Sequence, residues 1–150
     1  YGPRQSTRAV IPVIIKQALE KRGEVKLGAL DPKRDLVFVK DTAQALIELA
    51  SNENVIGNTV NIGTGKCYSI RELIGFVGMS IGVDLEPVLD ETKMRPEKSE
   101  VNELLADVSR MTELTGWQSK TDIQQGISET VDFWSEKLAN SEEDEDLNFI

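Results

Sequence analysis

The sequence predicts an α/β fold, with helices packed on a small, mainly parallel sheet, and three observations carry that expectation. Apolar residues recur at helical spacing in several stretches, short apolar and β-branched runs stand between them, and glycine or asparagine marks most junctions. The 150 residues, 39% of them apolar, are enough to bury one ordinary core, so one folded unit is expected.

Taken in order, the first helix is expected over residues 9–21. There Val10, Ile14, Ile15, Ala18 and Leu19 share a face, and Gly23 provides the stop. Runs at 25–27 and 36–39 read as strands, the second nearly all apolar, as a strand covered on both faces would be. Asp41 and Thr42 offer a cap to a helix over 43–50, with Ala43, Leu46, Ile47 and Ala50 on one side. Gly57 and Asn58 turn the chain into a strand over 59–62, which closes on Gly63-Thr64-Gly65. Ser69 followed by Glu72 has the form of a capping box, and Leu73, Ile74, Val77 and Ile81 supply the inner stripe of the next helix, against the low propensity of Gly75 and Gly78. A strand over 85–88 then leads into a polar stretch, 90–100, of the kind that carries function on a loop. A short helix over 107–114 and a long one over 122–138 complete the unit, the latter burying Ile123, Ile127, Val131 and Trp134. The sequence thus divides into residues 1–138, folded, and 139–150, an acidic tail whose 141–146 segment is five acids and a serine, too charged to pack and expected to be disordered.

Charge and chemistry then narrow the function. The formal net charge is −9, from 26 acidic and 17 basic residues, so the average field repels nucleic acid and anionic membranes, and neither is an expected partner. No run approaches the roughly 18 consecutive apolar residues of a membrane span. The single cysteine has no partner within the chain, and the absence of histidine removes hydrolase triads and the usual zinc sets. No calcium-loop spacing is present, so no metal is expected. The chain opens at Tyr1 without an initiator methionine or a charged-then-apolar leader, which reads as an internal start of a cytoplasmic protein. Gly63-Thr64-Gly65 lacks both the third glycine of a dinucleotide loop and the Lys-Ser/Thr of a P-loop, so it reads as a tight turn.

Arginines are the informative charges. Arg8, Arg34 and Arg95 stand in loops or at element edges, and planar guanidinium forks suit a diphosphate in a partly dry cleft. Spacing alone leaves a second possibility open, in which they are surface arginines or partners for Asp35, Asp41 and Glu100.

Motif order adds a resemblance. Tyr1-Gly2-Pro3-Arg4-Gln5, the segment from Arg8 to Pro12, Arg34-Asp35-Leu36-Val37-Phe38-Val39-Lys40-Asp41-Thr42-Ala43, and Asn61-Ile62-Gly63-Thr64-Gly65 with Ser69-Ile70 follow one another in a recognisable series. Arg95-Pro96 with Ser99-Glu100-Val101, Asp107-Val108-Ser109-Arg110, Leu114-Thr115-Gly116-Trp117 and Gly126-Ile127 to Trp134 complete it. The series resembles the extended short-chain dehydrogenase/reductases that act on nucleotide sugars, from Tyr1 to about Lys137, and covers their carboxy-terminal, substrate-binding part of a Rossmann-type fold.

What the resemblance implies can be carried over position by position. Arg34 and Arg95 match family arginines that contact the diphosphate of the sugar nucleotide, Arg8 a basic residue near the same phosphates or the sugar, and Glu100 an acid that accepts from the ribose. Asp35 and Asp41 are expected to be structural, holding Arg34 or capping a helix. The family's Tyr-x-x-x-Lys pair and Gly-x-x-Gly-x-x-Gly cofactor loop do not occur in the chain, so no catalytic or cofactor-binding residue is expected here. The intact enzyme would use NAD or NADP on a GDP-, UDP- or dTDP-linked sugar, as a 4,6-dehydratase or an epimerase. Arg4 to Pro12 and Lys33-Arg34-Asp35 look closest to bacterial 4,6-dehydratases of N-acetylhexosamine nucleotides. This chain alone would be inactive, and a missing amino-terminal half or a second copy would cover apolar surface near residues 43–50 and 59–62. The alternative is a non-catalytic interaction or structural domain derived from that family.

Overall fold

The computed structural model describes residues 1–21, 23–94 and 101–141. In chain order its elements are α1 (Val10–Lys21), β1 (Glu24–Leu27), β2 (Lys33–Asp35), α2 (Val39–Ser51), β3 (Cys67–Ser69), α3 (Ile70–Ile81), β4 (Glu86–Leu89), β5 (Glu103–Leu104), α4 (Ser109–Thr115) and α5 (Ile123–Ser141). Short 3₁₀ turns occupy Glu53–Val55 and Glu91–Lys93.

The core lies where the apolar stripes of three helices meet. Ile11, Ile14, Ile15 and Ala18 of α1 face Leu73, Ile74 and Val77 of α3 and Ile127, Val131 and Trp134 of α5, with Val25 and Leu27 of β1 beneath them. Each such side chain taken from water contributes about 1.5–3 kcal/mol, so this triple-helix contact is the main source of stability. A smaller cluster joins Ala45 of α2, Met111 of α4 and Trp117.

The strands form two small sheets. β1 and β4 pair in parallel from Glu24↔Glu86 to Leu27↔Leu89, and β2 lies between β3, antiparallel, and β5, parallel. Two of the three pairings are parallel, as a mainly parallel α/β arrangement requires.

Two expected strands are corrected. Residues 36–39 form no strand: β2 ends at Asp35 and Val39 already opens α2. Their apolar character comes from packing and from a local bridge to the chain's start, where Tyr1 N donates to Val37 O and Val39 N to Tyr1 O, each at 2.7 Å, and the rings of Tyr1 and Phe38 lie 5.5 Å apart. Residues 59–62 likewise have no ladder partners among the described residues; Val60 and Ile62 pack on the Ala45, Met111 and Trp117 cluster. A strand pattern needs a neighbour to become a strand. α5 runs to Ser141, past the expected end at 138, and residues 142–150, which hold most of the acidic segment, lie outside the described residues.

Candidate functional site

β2 sorts its charges by the two-residue alternation of a strand. Arg34 turns to one side, toward a cleft of about 560 Å³ that Arg8, Lys93, Leu27, Gly28 and Pro32 also line. Asp35 turns to the other. Its carboxylate accepts from Thr64 N (2.9 Å), Thr64 Oγ1 (2.7 Å), Gly65 N (3.0 Å) and Ala106 N (3.4 Å). The amides of the Gly63-Thr64-Gly65 loop are therefore spent on an internal carboxylate, an anion nest already filled by the protein. Asp35 is structural, as expected, but it holds this loop in place of Arg34. Gly63 is required there because a Cβ would meet Ala106 and stand 2.8 Å from the Asp35 carboxylate.

Asp41 is also structural, by a different route from the expected cap. The residue before α2 is Phe38, which gives no side-chain cap, and Asp41 sits buried in the first turn. It accepts from Ser119 Oγ (2.6 Å), Thr121 N (2.9 Å), Thr121 Oγ1 (3.1 Å) and Lys120 N (3.2 Å), so it ties the 119–121 loop to α2. Burial works to raise its pKa, yet these donors win and hold it below the ordinary value.

The cleft itself is positive in an acidic protein. Among the described residues that line it, three, Arg8, Arg34 and Lys93, are cations, and none is a carboxylate. Arg8 precedes α1 in a turn closed by Ala9 N to Ser6 O (2.9 Å), and the first turn of α1, which carries no acid, adds its partial positive end. Arg34 is positioned by Nη1, which donates to Val101 O (2.7 Å) and Lys33 O (2.8 Å). Val10, Val13 and Ile70 form an apolar wall. Fixed cations beside a dry wall strengthen binding of a compact anion. The described lining residues include no carboxylate, thiol or phenol, and the cleft's cations suit it to hold a ligand.

The structure thus brings Arg8 and Arg34 together. Arg95 and Glu100 lie outside the described residues; the chain passes into that stretch just beyond Lys93 and returns at Val101, whose carbonyl Arg34 holds. Sequence reasoning did not single out Lys93 or Gly28, the first lying within the polar stretch 90–100 and the second just after the strand expected over 25–27.

A second cleft, of about 440 Å³, opens among Thr64, Lys66, Tyr68, Trp117, Lys120 and Asp122, beyond the end of β2 where Leu36 joins its lining. Its charges are mixed. The Tyr68 phenol is pushed up by burial first, then by Asp122, Glu72 and Asp35. Among the described residues no cluster suits a metal ion, and no helix is long and apolar enough to cross a membrane.

Comparison with known proteins places these features in a family context. Residues 1–130 match the family model described as GDP-mannose 4,6 dehydratase. A putative UDP-glucose 4-epimerase of Methanocaldococcus jannaschii is 32% identical over 136 residues, 89% of this chain and 42% of that protein. Among solved structures, the Thermotoga maritima UDP-glucose 4-epimerase with UDP-glucose superposes with a TM-score of 0.78 at 26% identity, over 92% of this chain and 44% of that one. RMD from Pseudomonas aeruginosa complexed with NADPH gives 0.77 at 28% identity, over 91% of this chain and 46% of that one. The chain spans less than half the length of these relatives.

Proposed function

The chain belongs to the extended short-chain dehydrogenase/reductase family of nucleotide-sugar epimerases and dehydratases, and we propose that its part in that chemistry is to bind the diphosphate of a nucleotide sugar between Arg8 and Arg34. The observation that carries the reading is the cleft: three cations, no carboxylate among the described lining residues and an apolar wall, in a chain of net charge −9. Such a site selects a compact polyanion attached to a less polar body, which describes a nucleoside diphosphate. Arg95 and Glu100 complete the proposal, the first on the same phosphates and the second on the ribose.

The reaction of the whole protein is a 4,6-dehydration or an epimerisation of a GDP-, UDP- or dTDP-linked sugar, with the 4,6-dehydratases of N-acetylhexosamine nucleotides as the nearest subclass. NAD or NADP would supply hydride transfer there. The residues of this chain do not fit a dinucleotide: the one Gly-rich loop already holds the Asp35 carboxylate, and neither Tyr1 nor Tyr68 has a lysine four residues on. Cofactor and catalytic groups therefore belong to another segment, and this chain alone is inactive.

The surface of α2 supports the same division. Leu46 and Ile47 are more than half exposed, and Ile56, five residues past the end of α2 and shortly before the 59–62 segment, is 77% exposed. A cofactor-binding half, or a second copy, would cover them. This exposed face is also what favours a second reading, an interaction domain without ligand.

Calorimetric titration with GDP-, UDP- and dTDP-sugars separates the two. Saturable binding to one of them, weakened at least about tenfold (about 1.4 kcal/mol) by Arg34→Ala, is expected. Equal affinity of parent and variant would refute the arginine site. Absence of binding in a folded sample would favour the interaction domain.

A further inference from the structure

The proposed site has a cation that the family motifs did not suggest. Where the β1–β4 pairing ends at Leu89, the chain turns back over the cleft. Asp90 N donates to Leu27 O (2.7 Å), and the Asp90 carboxylate accepts from Thr92 N (3.1 Å) and Thr92 Oγ1 (2.6 Å), which builds the Glu91–Lys93 turn. That turn rests directly on Gly28: a Cβ there would stand 2.6 Å from the Lys93 carbonyl oxygen. The close approach lets the Lys93 side chain join Arg8 and Arg34 in the lining of the cleft.

Most surface lysines sample many rotamers and lose that freedom on binding. Lys93 has given up much of it in advance. Its Nζ donates to Lys26 O (3.1 Å) and lies 3.3 Å from the Asp90 carboxylate, while the side chain stays half exposed. An ammonium carries three donors, so two of these contacts orient the group and a third donor remains for a ligand. Both contacts come from the sheet edge and the turn, so the position of the ammonium is set by backbone register.

From this we propose that Lys93 is a third phosphate-binding residue of the cleft, held over the ligand by the Gly28-supported turn, and that it favours a diphosphate over a monophosphate. The inference rests on the reading of the cleft given above. It adds that Lys93 reaches charge beyond the first phosphate and that Gly28 is a positioning residue, acting only through where it lets the turn lie.

The test is titration of the chain with UDP, UMP, GDP and GMP in parent, Lys93→Gln, Lys93→Arg, Gly28→Ala and Arg34→Ala forms, each checked for a native melting transition, at two salt concentrations. For the base that binds, Lys93→Gln should weaken the diphosphate about fivefold or more and lower its salt dependence, leave the monophosphate within about twofold, and be largely rescued by Lys93→Arg. Gly28→Ala should reproduce the loss of diphosphate preference with every charge intact. If Arg34→Ala loses affinity while Lys93→Gln and Gly28→Ala bind as the parent does, the inference falls and the reading of the cleft stands. If Arg34→Ala also binds as the parent does, or the parent binds no nucleotide, both fall.

Discussion

Replacing Asp41 by alanine tests how the 119–121 loop is held to α2. The side chain is 9% exposed and accepts four hydrogen bonds from residues 119–121, two of them from backbone amides. In Asp41→Ala the two hydroxyls can turn toward water, but the amides of Lys120 and Thr121 lose their acceptor. With about 1–3 kcal/mol for each unsatisfied donor, and partial rescue by water in the space left, the expected loss is about 3 kcal/mol. For a domain of this size that lowers the melting temperature by about 6–12 °C. Urea unfolding should show a lower midpoint with an unchanged slope. The sign with pH follows from the carboxyl's lowered pKa: its contribution is complete above the ordinary value of 3.8 and is lost as pH falls through the lower folded value. The gap between parent and variant should therefore stay constant from neutral pH to about pH 5 and narrow in stronger acid. A loss under about 0.5 kcal/mol, or a gap that widens with acid, would refute the view that this buried carboxylate ties the loop to α2.

Three further changes probe other links. Gly63→Ala forces a methyl against Ala106 and the Asp35 carboxylate, so a cost of about 1–3 kcal/mol in urea unfolding is expected. Ser69→Ala removes the hydroxyl half of the capping box in which Ser69 Oγ accepts from Glu72 N (3.2 Å) and Glu72 Oε2 from Ser69 N (2.7 Å); it should cost about 1 kcal/mol and move the Glu72 carboxyl, held low first by the residue 69 amide and then by the Ser69 hydroxyl, only part of the way to its ordinary value in an NMR titration. Ile127→Ala opens a cavity at the fully buried meeting point of α1, α3 and α5, with an expected loss of about 2–5 kcal/mol by chemical denaturation.

What the sequence made legible was local and self-contained. α3 was readable because Ser69 and Glu72 form their box within four residues, and α1 because its apolar stripe is a property of one helix. The pairing of Arg8 with Arg34 was readable only as a possibility, because it depends on α1 and β2 meeting at one cleft. The strands over 36–39 and 59–62 were misjudged for a common reason. An apolar run records packing, and here Phe38 is buried against Tyr1 while Val60 and Ile62, half-buried, pack on the cluster of Ala45, Met111 and Trp117, with no ladder among the described residues in either place. Lys93 escaped notice because its role depends on β1–β4 register and on a methyl-free position at Gly28, 65 residues away in sequence.

We propose above all that the Arg8–Arg34 cleft, and not the Thr64–Asp122 cleft, receives the nucleotide diphosphate. Backbone amide chemical shifts of this chain, followed during titration with UDP and GDP, decide it directly. The account predicts saturable shifts at Arg8, Ala9, Gly28 and Arg34, with little change at Thr64, Lys66 and Lys120. Shifts concentrated at the second group, with the first unmoved, would contradict it.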